Sequence, residues 1–243
     1  MIEILVKSFY LVLYQPLFNF LVLLYEYLPG HDFGLAIIVL TLIIRLLLYP
    51  SSAKSIKTQK ALNEIQPKLQ EIQKKYKDDK EKQVKETLDL YKKEKINPFG
   101  GILSALIQLP ILIALYQVLR KGFDPAELSV LYNFVSSPGH INAMFIGFID
   151  LSKPNLVLAI LAGVAQFIQT KITLPITKKT NDKTQDFAKI MQKQMVYFFP
   201  FLTVIILMGL PSALGLYWMV GSVFLIIEQY LLFNKTKTNK TPI

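Results

Sequence analysis

Five apolar runs, Phe33 to Tyr49, Pro98 to Leu119, Pro154 to Leu174, Met195 to Leu210 and Ala213 to Phe233, constrain this chain more than any motif it carries. A helix needs about 17–25 apolar residues to cross a hydrocarbon core about 30 Å thick. At about 1.5 Å per residue the first run covers roughly 25 Å, and the fourth is similarly short, so local thinning or snorkelling ends must make up the difference. Of the 243 residues 52% are hydrophobic and 18% charged, against roughly 45–50% and 25% in average soluble domains. The runs therefore read as membrane spans rather than as buried strands or core helices.

The charge, +10 overall, is explained by where it lies. Thirteen lysines fall between Ser51 and Asn97, four between Ile176 and Gln192 (Lys178, Lys179, Lys183, Lys189), and Lys235, Lys237 and Lys240 follow the last run. The alternate loops carry only Lys7, Arg120, Lys121 and Lys153. Cytoplasmic loops beside spans carry the excess of Lys and Arg, so five spans imply an external N-terminus and a cytoplasmic C-terminus. This accounts for the basic balance without DNA binding. The absence of cysteine excludes a disulfide framework and a thiolate zinc site.

Ahead of the first run, Ile4 to Leu28 is apolar but carries Gln15, Asn19 and Glu26 on one helical face, with Pro16 near its start. That pattern predicts an amphipathic helix in the external interface, with a signal sequence as the alternative. Between the first two runs, Leu62, Ile65, Leu69, Ile72 and Tyr76 repeat at spacings of 3, 4, 3 and 4, and Val84, Leu88 and Tyr91 resume after Lys77-Asp78-Asp79-Lys80. This is a heptad seam broken by a polar turn and predicts an antiparallel coiled-coil hairpin, with a kink at Pro67 near Ile65. The expected division is an external helix over 1–32, spans over 33–50, 98–121, 154–174, 195–210 and 213–233, the cytoplasmic hairpin over 51–97, an external loop over 122–153, a cytoplasmic loop over 175–194 and a basic tail over 234–243.

No GxSxG, HExxH or GxxxxGK[ST] motif is present, and His31 and His140 fall on the external loops without obvious ligand partners. Neither an enzyme nor a metal or nucleotide cofactor is indicated. Glu228 lies near the cytoplasmic end of the last run, where a carboxylate reads as a solvated helix end. Arg45, inside TLIIRLLLYP, stands out, since a central arginine costs about 2.5–3.5 kcal/mol on insertion scales. It either snorkels to the cytoplasmic headgroups or lies in a water-filled inner-leaflet cavity. Gln108, Gln166, Gln169, Ser104, Thr170, Thr203 and Ser222 are the other polar residues within the spans. Convergence of several of them on Arg45 would make a groove.

In order, FGLAIIVLTLIIRLLLYP, QPKLQEIQKKYKDDKEK, LYKKEKINPFGG, LIQLPILIALYQVL and FFPFLTVIILMGLPSALGLYW closely resemble the YidC/Oxa/Alb membrane protein insertases, in their short bacterial form. The resemblance implies an all-α integral membrane protein with five transmembrane helices, an external amphipathic helix and a mobile cytoplasmic coiled-coil hairpin, residing in the bacterial plasma (inner) membrane. It implies a hydrophilic groove holding the first-span arginine, here Arg45, with groove positions at Gln169 and Trp218 and with Gln166 one turn away. Tyr217 adjoins Trp218 in SALGLYW, where an aromatic belt is the plainer reading. The implied function is insertion and folding of nascent membrane proteins, with the ribosome, the signal recognition machinery and the Sec translocon as candidate contacts. The tail NKTKTNKTPI, with three lysines, argues against strong tethering of ribosomes. A small transporter or channel with a charged intramembrane groove is the alternative.

Overall fold

A computed structural model of the chain describes residues 2–97, 100–121, 124–174 and 193–238. The chain is an all-α membrane protein. Among the described residues the only strands are β1 (Met144–Phe145) and β2 (Ile149–Asp150), paired antiparallel with Met144 opposite Asp150. Four helical stretches are long and apolar enough to cross a bilayer, Val6–Tyr27, Phe33–Lys75, Leu156–Thr173 and Ser212–Phe233. Only 28–39% of the residues in their most apolar windows are buried. The remaining apolar faces, with Leu46, Leu47, Ile160, Val164 and Ile227 exposed, suit hydrocarbon and would be costly in water. The lysines expected in a loop over 175–194, and the end of the tail, lie outside the described residues.

The N-terminal helix consists of α1 (Ile2–Phe9), a π-helical turn (Tyr10–Tyr14) and α2 (Gln15–Tyr27). By length and composition it is itself capable of spanning, so those two properties do not separate an interfacial helix from a spanning one. Its polar stripe faces the protein rather than water. Asn19 is buried; its Nδ2 donates to Gln15 O (2.8 Å) and Val130 O (3.2 Å), and its Oδ1 accepts from Tyr132 N (2.6 Å). Gln15 Nε2 also donates to Val130 O. The loop at 130–132 offers backbone groups that would otherwise go unpaired, and this draws the stripe inward.

Asp32 caps α3 (Phe33–Lys75) by accepting from Leu35 N. At 43 residues this helix is about 65 Å long, so a bilayer span and the first arm of the polar region are one rod. The sequence predicts a kink or a broken turn at Pro67 near Ile65; the helix runs unbroken through both Pro50 and Pro67. Both prolines lie on its exposed side, where the lost backbone bond leaves a carbonyl to solvent or headgroups instead of burying it.

The chain turns at Tyr76–Asp79, and Asp79 caps α4 (Lys80–Lys93) through Lys82 N. Lys68 meets Glu94 at 2.6 Å and Gln83 Nε2 reaches Gln73 O at 3.5 Å, links that run in opposite directions along the two helices. Hydrogen bonding and charge from Lys68 hold the Glu94 carboxyl below its usual range. The heptad seam is half realised. Ile65 and Leu69 are buried, but Val84 and Leu88 are 59% and 51% exposed. On α4 the half-buried side includes Gln83, Thr87, Leu90 and Glu94, and of these Gln83 and Glu94 bond across to α3.

Helix α5 (Gly100–Lys121) leads to the segments that hold β1 and β2, and α6 (Leu156–Thr173), a π-helical turn (Gln194–Phe198), α7 (Phe199–Leu207) and α8 (Ser212–Thr238) complete the bundle. Helices α3, α6 and α8 are parallel. Arg45 lies on Gly221 and Ser52 bonds Glu228, pairs with the same separation of 176 residues. Gly215, Trp218 and Gln229 likewise meet Leu158, Gln166 and Thr173 in rising order. Small residues permit this approach: a Cβ on Gly163 of α6 would strike Val204 of α7 and lie 3.2 Å from Pro200 O. The core gathers Phe18, Phe33, Leu40, Leu115, Leu119 and Leu216 from four helices.

Candidate functional site

The side chain of Arg45 turns sideways onto α8. A Cβ on Gly221 would sit 2.6 Å from its Nη2 and 3.1 Å from its Nε, so the absence of a side chain there makes the guanidinium's seat. Nε is buried without a hydrogen-bond partner among the described residues. The guanidinium borders a cavity of about 140 Å³ lined also by Gln108, Leu112, Gln166, Gln169, Tyr217, Trp218, Ser222 and Leu225. At about 30 Å³ per liquid water this holds roughly four waters, and its wall has the polar groups to bind them.

Four helices supply the wall. Gln108 on α5 donates from Nε2 to Tyr217 Oη at 2.7 Å, and Trp218 Nε1 donates to Gln166 Oε1 at 3.0 Å. Tyr217 is 2% exposed, so this aromatic pair is turned into the protein rather than arranged as an interfacial belt. Of the two candidate glutamines on α6, both line the cavity: Gln166 is held by Trp218, while Gln169 Nε2 makes a longer contact of 3.4 Å with Thr173 Oγ1. All five residues singled out from the sequence, Arg45, Gln108, Gln169, Tyr217 and Trp218, thus border one space. Thr170 instead bonds its own helix at Gln166 O, Thr203 is not part of the wall, and the side chain of Ser104 lies outside the described residues.

Glu228 corrects the sequence reading. It is 3% exposed, not a solvated helix end, and its Oε2 accepts from Ser52 Oγ at 2.7 Å. Gln229 beside it is 1% exposed and donates to Thr173 Oγ1 at 2.6 Å. Thr173 O in turn accepts from Asn63 Nδ2, tying the lower part of α3 to α6. The Glu228-Gln229 doublet inside LIIEQYLLF was the available signal; nearness to the end of an apolar run concealed it, because α3 continues past that depth to meet Glu228 through Ser52 while α6 meets Gln229 through Thr173.

Residues 23–240 match the model of the family described as 60Kd inner membrane protein. The chain belongs to this family. Among relatives in the 60Kd inner membrane protein family, "Membrane protein insertase YidC" of Fusobacterium nucleatum subsp. nucleatum is 36% identical over 204 residues, 84% of this chain and 87% of the relative. The protein of the same name from Oceanobacillus iheyensis is 38% identical over 210 residues, 85% of this chain and 76% of the relative. That of Wolinella succinogenes is 36% identical over 222 residues, 91% of this chain but 37% of its own length, so 60Kd family members differ greatly in what surrounds the shared helices.

Proposed function

We propose that this chain is a membrane protein insertase, the function that the names of its relatives state for them, and that it acts on nascent membrane proteins within the bacterial inner membrane. The observation that carries the reading of its site is the meeting of Arg45, Gln108, Gln166, Gln169, Tyr217, Trp218 and Ser222 around one cavity in an otherwise apolar bundle. Five spans, at 33–50, 98–121, 154–174, 195–210 and 213–233, with the N-terminus external and the C-terminus cytoplasmic, fit the distribution of lysines. In that orientation the cavity belongs to the inner leaflet and the basic antiparallel arms of 51–97 stand in the cytoplasm as a coiled-coil hairpin.

Insertion needs no covalent chemistry. An apolar substrate helix gains free energy on leaving water, but its polar flank must cross hydrocarbon, where each charge is expensive. Arg45 and the surrounding amides and hydroxyls receive an acidic or polar flank part-way, while the substrate's apolar portion moves along the lipid-facing side between α6 and α8. Short spans thin the bilayer and leave less hydrocarbon to cross. The hairpin, with 13 lysines between Ser51 and Asn97, offers basic surface to substrate, ribosome, signal recognition machinery or Sec translocon.

The test is insertion of a single-span substrate with a short acidic external tail into liposomes, scored by protease protection of the tail. Protection that is lost in Arg45→Ala and retained in Arg45→Lys establishes the charge role. Full protection with Arg45→Ala removes it, and protection equal to empty liposomes from folded protein returns the transporter or channel reading.

A further inference from the structure

The mechanism above leaves one buried charge unused. Among the described residues Glu228 is the one buried carboxylate, and it lies one turn beyond Leu225, which borders the cavity. An acidic group beneath a site for acidic flanks opposes their entry, so its presence calls for a role. Ser52 satisfies one oxygen, while Oε1 has no hydrogen-bond partner among the described residues, and neither does Arg45 Nε. The parallel register of α3 and α8 sets the two groups on one seam: Arg45 against Gly221, then Ser52 against Glu228 seven residues further along each helix. Seven residues are about two turns, or roughly 10 Å. A buried donor and a buried acceptor of opposite charge, each without a hydrogen-bond partner among the described residues, therefore lie two turns apart along one helix-helix seam, a distance that a short chain of waters can span.

We infer that Glu228 is the counter-charge of Arg45 and sets the charge selectivity of the groove. With both present the seam is near neutral, and flanks bearing amides and hydroxyls are received alongside acidic ones. Without the carboxylate the groove becomes cationic and favours acidic flanks. The inference rests on the reading that the cavity receives substrate flanks, and it narrows the substrate class to tails of mixed polar character.

Two single-span substrates that differ only in tail, one with aspartates and one with asparagines at the same positions, are inserted by the same proteoliposomes. The ratio of their protected fractions cancels differences in the yield of folded protein. Relief of the Coulomb repulsion between Glu228 and an acidic flank at roughly 10 Å, for effective dielectrics of about 20–80, gives an expected rise of the Asp-to-Asn ratio of about two- to sixteenfold in Glu228→Gln. Ser52→Ala removes the hydrogen bond but keeps the charge, and leaves the ratio at its wild-type value. Ser222→Asp, which adds a carboxylate at the cavity wall, lowers it. The inference is overturned if Glu228→Gln leaves the ratio unchanged while Arg45→Gln lowers it, an outcome under which the groove reading stands. It is also overturned if Ser52→Ala moves the ratio as far as Glu228→Gln, because Glu228 is then a strut between α3 and α8. If Arg45→Gln leaves the ratio unchanged, the groove reading fails and takes this inference with it.

Discussion

Trp218 is the only tryptophan in the chain and it borders the same cavity as Arg45, so its fluorescence reports on the site without labelling. If the cavity holds water under the field of Arg45, a water-soluble anion is concentrated beside the indole. Guanidinium and indole line the same cavity of about 140 Å³, and a unit charge acts on an anion about 7 Å away with about 0.6 kcal/mol at the dielectric constant of water and about 2.4 kcal/mol at an effective value of 20. These energies enrich iodide by roughly threefold to fiftyfold. Arg45→Gln removes the charge and retains a polar side chain of moderate size. The account expects its iodide quenching constant to fall at least about threefold while quenching by neutral acrylamide stays within experimental error. Stern–Volmer titrations on proteoliposomes at fixed ionic strength supply the numbers. Equal iodide quenching of the two proteins would refute the reasoning about charge, and no quenching by either agent would refute the reasoning about water.

Other consequences follow from the packing. Asn19→Leu strips Tyr132 N of its partner and leaves Val130 O with Gln15 alone; at about 1–3 kcal/mol for a buried group left unpaired, thermal melting in detergent should drop by a few degrees and cleavage near 130–132 should accelerate. Gly163→Ala drives a methyl into Val204 and should cost about 1–3 kcal/mol as an overpacking change, seen as a lower melting temperature, whereas an unchanged melt would mean that α6 and α7 separate freely. Because Glu94 is held below its ordinary pKa of 4.5 by its bond to Lys68, the stabilisation is fully present above that value and is lost as pH falls through the lower, folded one. Protection of the α4 amides, taken relative to their intrinsic exchange rates at each pH, should therefore fall only below about pH 4.5, with the response abolished in Glu94→Gln. The Asp150 carboxyl, lowered by Lys153 and Ser152, gives the hairpin formed by β1 and β2 an acid sensitivity of the same sign.

Depth was legible in the sequence; direction around each helix was not. Apolar run lengths located Arg45, Gln108 and Gln169 along their helices, but only packing turns them toward one another, through Gly221 under the guanidinium and through the Trp218 to Gln166 bond. Gln15 and Asn19 formed the stripe their spacing demanded, yet a stripe does not say whether water or a neighbouring loop will satisfy it, and here it is the loop. Val84 and Leu88 kept heptad spacing without a facing partner because α4 meets α3 through Gln83 and Glu94. Pro67 does not interrupt the helix, because it lies on the exposed side of a segment held on its other side by the buried Ile65 and Leu69. Glu228 was misjudged because its burial depends on α3 extending beyond the apolar run, a property of the whole helix rather than of any short window.

The central claim, that a substrate's polar flank passes through the cavity beside Arg45, is tested most directly by position-specific photo-crosslinking to a stalled single-span substrate. One probe replaces Ser222 on the cavity wall and another replaces Val164, which is 49% exposed on the apolar face of α6. The account expects the acidic flank to crosslink from position 222 and not from position 164, with the signal at 222 falling in Arg45→Gln. A flank that crosslinks from 164 and never from 222, in protein that still inserts the substrate, would contradict it.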